Sequence, residues 1–421
     1  MLRRTQKIKN TLLFALYALV LGVFSGAIIW LILYIMNFCI DVIWQKIPDK
    51  ISYGTNYYIY QTAVCTLGGL VIGVFQRKYG ILPDTLEETM TKLKKEGTYS
   101  YDKLYIIAIA ALLPLVFGGS LGPEAGLTGL VTGLCCWAGD KLKYKGEEAK
   151  DLARAGMAAT LGVIFEAPLF GFINNYEKPR EDEKKYFSPK EFKVAKAIVY
   201  AAGIAGGFGT MMLLKSFFGG GLGLARFTAE KNAGIGEWKW FIIFAAAGLL
   251  CGLLYLTFNK ITKALGQRIK KHRISSCMTA GFLLAMLGIW LPWTMFSGEH
   301  EMGILMENWE NIPVTLLMMT AIGKILAVNI CVNFGWKGGN IFPVIFSGVS
   351  MGYALAAVSG VEPVFAVAVV SASAYGYIMR KPLTVVAVLF LCFPLRLIVP
   401  LTAAAYIASL IPAPWLKSNH K

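Results

Sequence analysis

Gly118-Gly119-Ser120-Leu121-Gly122-Pro123-Glu124-Ala125-Gly126 lies within an apolar region, and Gly338-Gly339-Asn340-Ile341-Phe342-Pro343 repeats its GGxxxP spacing 220 positions later in a chain of 421 residues. Glycine followed by proline lets a helix begin abruptly, because proline has no N–H to lose and its fixed φ suits the first turn. A helix that starts inside a membrane needs its irregular approach buried in protein or along a wet cavity, since lipid cannot satisfy amides and carbonyls. Matching Gly/Pro-interrupted segments in two halves point to the binding site of an inverted-repeat transporter. The pair predicts repeats at residues 11–222 and 237–411, joined between 218 and 238, with cytoplasmic ends at 1–10 and 412–421.

The flanking sequence identifies the solvent. Hydrophobic residues make up 56% of the chain and charged residues 16%. Stretches 10–40, 51–76, 104–123, 240–259, 274–298, 338–361 and 397–416 each run 20 residues or longer without Asp, Glu, Lys or Arg. About 20 apolar residues cross a bilayer as a helix. This excludes a secreted globular protein, a disordered chain and a single-anchor receptor, while a membrane β-barrel would show segments of about ten alternating residues. The predicted fold class is all-α and polytopic, in the cell membrane. Stretches 125–139, 155–165, 167–176, 311–323, 325–336 and 382–395 span only 10 to 15 residues between charges, which predicts half-helices or re-entrant pieces among them.

Lys and Arg number 41 against 25 Asp and Glu, a net charge of +16. Such an excess could mark a nucleic-acid binder, but its placement argues for a membrane-lipid partner and no nucleic acid. The basic residues sit in short segments between apolar spans, at Arg3 to Lys9, Lys92 to Lys95, Lys141 to Lys145 and Lys260 to Arg273, and read as cytoplasmic faces. The segment holding Glu299, Glu301, Glu307 and Glu310 has no Lys or Arg and reads as external. The first apolar run, about 30 residues, is too long for a cleaved signal and reads as a retained helix. Eight cysteines fall mostly inside apolar spans as buried small hydrophobes, and the three histidines, His272, His300 and His420, lie in loops or the tail. No metal or cofactor is expected.

Unpaired N–H groups and aligned peptide dipoles make a helix N-terminus an anion site without a fixed cation. Conduction requires binding that is favourable yet weak, which a Lys deep in the membrane would prevent. Tyr79-Gly80-Ile81-Leu82-Pro83 is a third candidate helix start of this kind. Glu124 is the only acidic residue between Lys103 and Asp140, and an acid at membrane depth is a functional candidate. Ionised, it would occupy the anion position and close it; protonated or displaced, it would open it. The plainer reading is a carboxylate on a helix dipole.

Here the residues reach a family. Gly122-Pro123-Glu124-Ala125-Gly126 resembles the glutamate-gate motif G-(R/K)-E-G-P of the CLC chloride channel and transporter family, matching its Gly and Glu but not its basic residue or its proline. Ala167-Pro168-Leu169-Phe170-Gly171 looks like the family's APLAG, Lys324 stands where many members carry Lys, residues 338–343 resemble GGxFxP, and Pro382-Leu383-Thr384 resembles PLT. These motifs cover residues 11 to 411 in order. The resemblance implies a homodimer with one anion pathway per subunit and Glu124 as gate. It implies anion coordination by backbone near Asn340, Ile341 and Phe342, with Gly80, Ile81, Gly122 and Ala125 contributing from the first half.

Three departures bear on selectivity and coupling. Gly80 stands where many chloride-selective members carry Ser, so it offers no hydroxyl. Lys178 falls at the internal proton-handling Glu of many exchangers, with Glu177 one residue earlier; Glu177 and Glu166 are the candidate internal relays, and Glu166 reads equally as a helix cap. The pore-lining Tyr has no clear counterpart, with Trp415 and Tyr406 nearest. The resemblance therefore predicts transport of chloride or a similar monovalent anion, coupled to protons, with a passive channel or a fluoride or nitrate exchanger as alternatives. An intramembrane enzyme built on Ser120 would need a base, and no His lies in a span. Lys324 and Arg396 read as holding helix ends or carbonyls, Lys337 as adding positive potential at the cytoplasmic entrance, and Gly219 to Gly223 lack the Lys-Ser/Thr of a phosphate loop.

Overall fold

The computed structural model describes residues 2–51, 54–96, 98–142, 147–169, 173, 194–220, 225–228, 235–269 and 271–413. Its α-helices run in chain order as α1 (Leu2–Asp41), α2 (Thr55–Tyr79), α3 (Leu86–Glu96), α4 (Leu104–Val116), α5 (Glu124–Lys141), α6 (Glu147–Ile164) and α7 (Val194–Phe218). They continue as α8 (Phe241–Ile269), α9 (Arg273–Trp290), α10 (Glu299–Asn308), α11 (Val314–Asn333) and α12 (Ile341–Ser359), ending with α13 (Pro363–Met379), α14 (Pro382–Leu389) and α15 (Ile398–Leu410). Seven described helices are long and apolar enough to cross a membrane. Large apolar side chains such as Phe217, Trp290, Ile242 and Leu410 are more than three-quarters exposed, as lipid-facing positions require.

Contacts divide the chain into two compact units. The first comprises Met1–Phe38, Pro83–Leu112 and Glu124–Gly223. There α1 and α7 meet through two glycine pairs at four-residue spacing. A Cβ on Gly22 would lie 2.2 Å from Gly203 O, and one on Gly26 would lie 2.4 Å from Gly207 O. Small residues let backbones approach where lipid supplies no hydrophobic drive between helices. Ala15 and Ala18 of α1 then pack with Ala155, Val199 and Tyr200. Helix α5 uses glycine in the same way, with Gly126 against Ala111 and Gly133 against Leu104.

The second unit comprises Cys39–Leu82, Leu113–Pro123 and Leu224–Lys421. Helices α2 and α9 run antiparallel in backbone contact, Gly69 against Cys277 O and Gly281 against Cys65 O. Helix α13 is buried along almost its whole length, with Gly248 of α8 and Gly348 and Gly352 of α12 pressed against it.

Several boundaries differ from the charge-free stretches. Stretch 104–123 holds only the 13-residue α4, which contains Pro114. Gly118, at φ +85°, ends the helix: its N–H reaches Leu115 O at 3.2 Å and the Gly119 N–H reaches Pro114 O at 2.8 Å, a Schellman arrangement. Stretches 311–323 and 325–336 form one continuous helix, α11, because the charge dividing them, Lys324, is wholly buried and held by carbonyls. The 17-residue α13, bracketed by Glu362 and Arg380, lies between the long and short classes and escapes both. Helix α7 escapes because Lys196 and Lys215 fall within it, and its Gly206 and Gly207 pack against α1.

Candidate functional site

Two helix breaks meet at a pair of backbone hydrogen bonds. Gly122 N donates to Gly339 O at 2.9 Å, and Gly339 N donates to Gly122 O at 2.8 Å. This is an isolated antiparallel bridge, and it satisfies two peptide groups that a helix break would otherwise leave bare. Helix α5 begins two residues beyond Gly122, at Glu124. Helix α12 begins two residues beyond Gly339, at Ile341.

The correspondence extends backward. Gly335, at φ +111°, follows the end of α11 as Gly118 follows α4, and the Trp336 N–H reaches Cys331 O at 2.8 Å. Gly118 and Gly335, Gly122 and Gly339, and Glu124 and Ile341 are each 217 positions apart. The GGxxxP echo at spacing 220 therefore finds the right segments but misaligns them by three residues. In the structural register Glu124 corresponds to Ile341 and Gly126 to Pro343.

Side chains and one backbone amide fix the carbonyls at each break. Trp44 Nε1 donates to Val116 O at 2.9 Å, and the Phe296 N–H donates to Gly118 O at 3.0 Å. On the other strand of the bridge, Ser276 Oγ donates to Phe334 O at 2.9 Å and Gln76 Nε2 to Gly335 O at 2.6 Å. These are orphan acceptors of helix ends. Lys324 acts one step further out: its Nζ donates to Trp293 O at 3.2 Å, Met295 O at 2.7 Å and Phe296 O at 2.9 Å. An ammonium has three donors. All are engaged, so Lys324 braces the loop whose Phe296 holds Gly118.

Among the residues singled out in the sequence, Glu124 is 1% exposed, Ala125 2%, Ile341 2% and Phe342 0%. The ladder of α12 starts with Val344 N donating to Asn340 O at 3.2 Å, so the amides of Ile341 and Phe342 belong to the helix's positive end. The side chain of Asn340 is engaged, with Nδ2 donating to Tyr255 OH at 2.6 Å. Tyr255 and its α8 neighbours went unremarked in the sequence. The available signal was polar groups in apolar spans, where Asn329 donates to Tyr255 O and Asn333 to Asn259 and Thr262.

The third candidate helix start differs from the other two. Gly80 has φ +94°, and Ile81 is 38% exposed. The next helix begins only at Leu86, behind a reciprocal capping box in which Thr85 N donates to Glu88 Oε2 at 2.8 Å and Glu88 N to Thr85 Oγ1 at 3.2 Å. Protein carboxylates already serve that N-terminus. Nearby, Asp84 accepts from Lys92 Nζ at 2.6 Å and Tyr99 OH at 2.9 Å. Burial, reinforced by the Asp84 charge, pushes the Tyr99 phenol above its usual range.

Glu166, at φ +49°, ends α6 and forms an ion pair with Lys215. Tyr406 is 39% exposed on α15. Glu177, Lys178 and Trp415 lie outside the described residues. Ser120 is fully buried, and its Oγ has no hydrogen-bond partner among the described residues.

An all-α fold of broken spans with paired helix starts defines a class of membrane transport protein. The family model for the voltage gated chloride channel matches residues 68–413, and the chain belongs to that family. It is a multi-pass membrane protein of anion transport, a transporter or channel and not an enzyme. YfeO of Salmonella typhimurium (strain LT2), named as an ion-transport protein, is 25% identical over 381 residues, covering 88% of this chain and 86% of that protein. YfeO of Salmonella choleraesuis (strain SC-B67) matches to the same extent. The crystal structure of a slow cyanobacterial Cl-/H+ antiporter superposes with TM-score 0.75 at 18% identity, covering 94% of this chain and 93% of that one. A CLC-type fluoride/proton antiporter also gives 0.75, at 16% identity over 96% and 95% of the two chains.

Proposed function

We propose that the protein moves chloride or a similar small monovalent anion across the membrane in exchange for protons, with Glu124 as gate and proton carrier. The Gly122–Gly339 bridge carries this reading, because α5 and α12 each begin two residues beyond it and the buried acid is the first residue of α5. Backbone amides at Ile341 and Phe342, aided by Asn340, Gly122 and Ala125, coordinate the anion through helix dipoles. Gly80 and Ile81 contribute backbone on the approach. Lys324, spent on three carbonyls, adds no donor, which keeps binding weak enough for release. The ionised carboxylate competes with the anion for this position, and protonation withdraws the competitor. Glu166 and Glu177 are the internal relay candidates, and the subunits pair as a homodimer, each built from repeats at 11–222 and 237–411.

Proton coupling is supported by both superposed structures being antiporters, one of Cl-/H+ and one of fluoride and protons. Passive conduction is favoured by two departures, Lys178 where exchangers carry an acid and the lack of a clear counterpart to the pore-lining Tyr. Reconstituted protein in liposomes separates the two. Under an imposed chloride gradient, internal pH should move against the proton gradient; chloride flux with no proton movement would leave a channel. Chloride, fluoride and nitrate run in parallel identify the preferred anion.

A further inference from the structure

A cavity of about 850 Å³ opens between α2 and α9, within the second unit. Its one end is lined by Arg77, in the last turn of α2, and by Lys271, His272 and Arg273 at the start of α9. Its wall continues along Ile274, Met278 and Phe282. The charge is therefore concentrated at one end, and the remainder mixes the apolar Ile274, Met278 and Phe282 with the hydroxyls of Thr66, Ser275 and Thr279.

The basic end is not explained by the fold. Cations at a helix N-terminus oppose the peptide dipole, yet Lys271 and Arg273 flank His272 at the start of α9, which has no acidic residue in its first turn and no side-chain cap. Among the described residues no carboxylate pairs with Arg77, Lys271, His272 or Arg273; Arg273 makes only a long contact to Gln76 O at 3.5 Å. Thr66, on the wall, has a buried hydroxyl without a partner among the described residues. An anion at this end would answer the dipole and the side chains together.

We propose that this cavity holds an anionic phospholipid, its phosphate at the basic end and an acyl chain along the wall. Length separates a lipid from a soluble phosphate. Arg77 and Thr66 are eleven residues apart on α2, about 16 Å at 1.5 Å per residue, which matches one leaflet of a hydrocarbon core about 30 Å thick. A free phosphate would use only the basic end. Basic pockets between membrane helices hold lipid headgroups by this same charge pattern.

The test is native mass spectrometry of the delipidated full-length protein titrated with phosphatidylglycerol or phosphatidylcholine of identical acyl chains. Phosphatidylglycerol should be retained at least about tenfold more strongly. The double variant R77Q/R273Q should bind both lipids at the phosphatidylcholine level. The exposed pair K271Q/H272Q, whose side chains make no hydrogen bond within the described protein, provides a partial loss should the arginine variant fail to fold. Millimolar inorganic phosphate or glycerol 3-phosphate should leave the bound lipid in place. Equal retention of the two lipids, undiminished preference in both variants, or displacement by either soluble phosphate would overturn the proposal.

Discussion

Gly122 and Gly339 donate their amides to each other's carbonyls, at 2.9 and 2.8 Å, and each stands two residues before a helix start. Such a bridge sets the spacing of two breaks without any side chain. Gly339→Pro removes one of the two donors and leaves the Gly122 carbonyl unsatisfied, a loss of roughly 1–3 kcal/mol. Chloride flux in liposomes should fall by about tenfold or more, with the purified protein still dispersed as in the wild type. Undiminished flux would show that the bridge does not set the site.

Lys324 braces this region through carbonyls of the loop after α9. Lys324→Met strips three buried carbonyls of their donor and should lower thermal stability by roughly 3 kcal/mol, read as a lower melting temperature in detergent. Anion preference among chloride, fluoride and nitrate should stay unchanged, since no donor of Lys324 is left for an anion. A changed preference would make Lys324 part of the anion site.

Backbone contact between α1 and α7 leaves no room for side chains. Gly26→Val places carbon within 2.4 Å of Gly207 O, so the helices must part and the protein should lose folded yield. Gly209→Ala on the same α7 has open space around its Cβ and should be neutral or stabilising by up to about 1 kcal/mol. Size-exclusion profiles distinguish the two; equal behaviour would remove the close packing from the account.

The Tyr99 phenol, raised by burial and by Asp84, predicts an alkaline effect. Its folded pKa lies above the unfolded value of about 10, so its contribution is fully present below pH ~10 and is lost as pH rises through the folded value. Melting temperature of the wild type should drop more steeply than that of Tyr99→Phe above about pH 10, while near neutrality the variant should be the weaker by about 1 kcal/mol. Parallel curves would place Tyr99 in an ordinary environment.

Much of this was legible in the residues because membranes impose length and polarity directly. The apolar runs at 10–40, 51–76 and 240–259 became α1, α2 and α8, and the two Gly-rich breaks were found where the bridge lies. What failed did so for physical reasons. Counting charges treats Lys324 as a boundary, whereas three carbonyls let it sit inside a helix. The residue register failed because GGxxxP records composition, whereas the structural equivalence is carried by positive φ at Gly118 and Gly335. The Tyr99–Asp84 network, the Lys324 brace and the Tyr255–Asn340 bond depend on tertiary neighbours far apart in sequence, so no local pattern announces them.

One comparison tests the gate most directly: chloride-driven proton uptake and chloride flux in liposomes from acidic to neutral pH, for the wild type and Glu124→Gln. The wild type should pump protons and vary its flux with pH. Glu124→Gln should lose proton movement and keep a chloride flux that no longer follows pH. Intact coupling in Glu124→Gln would contradict the account.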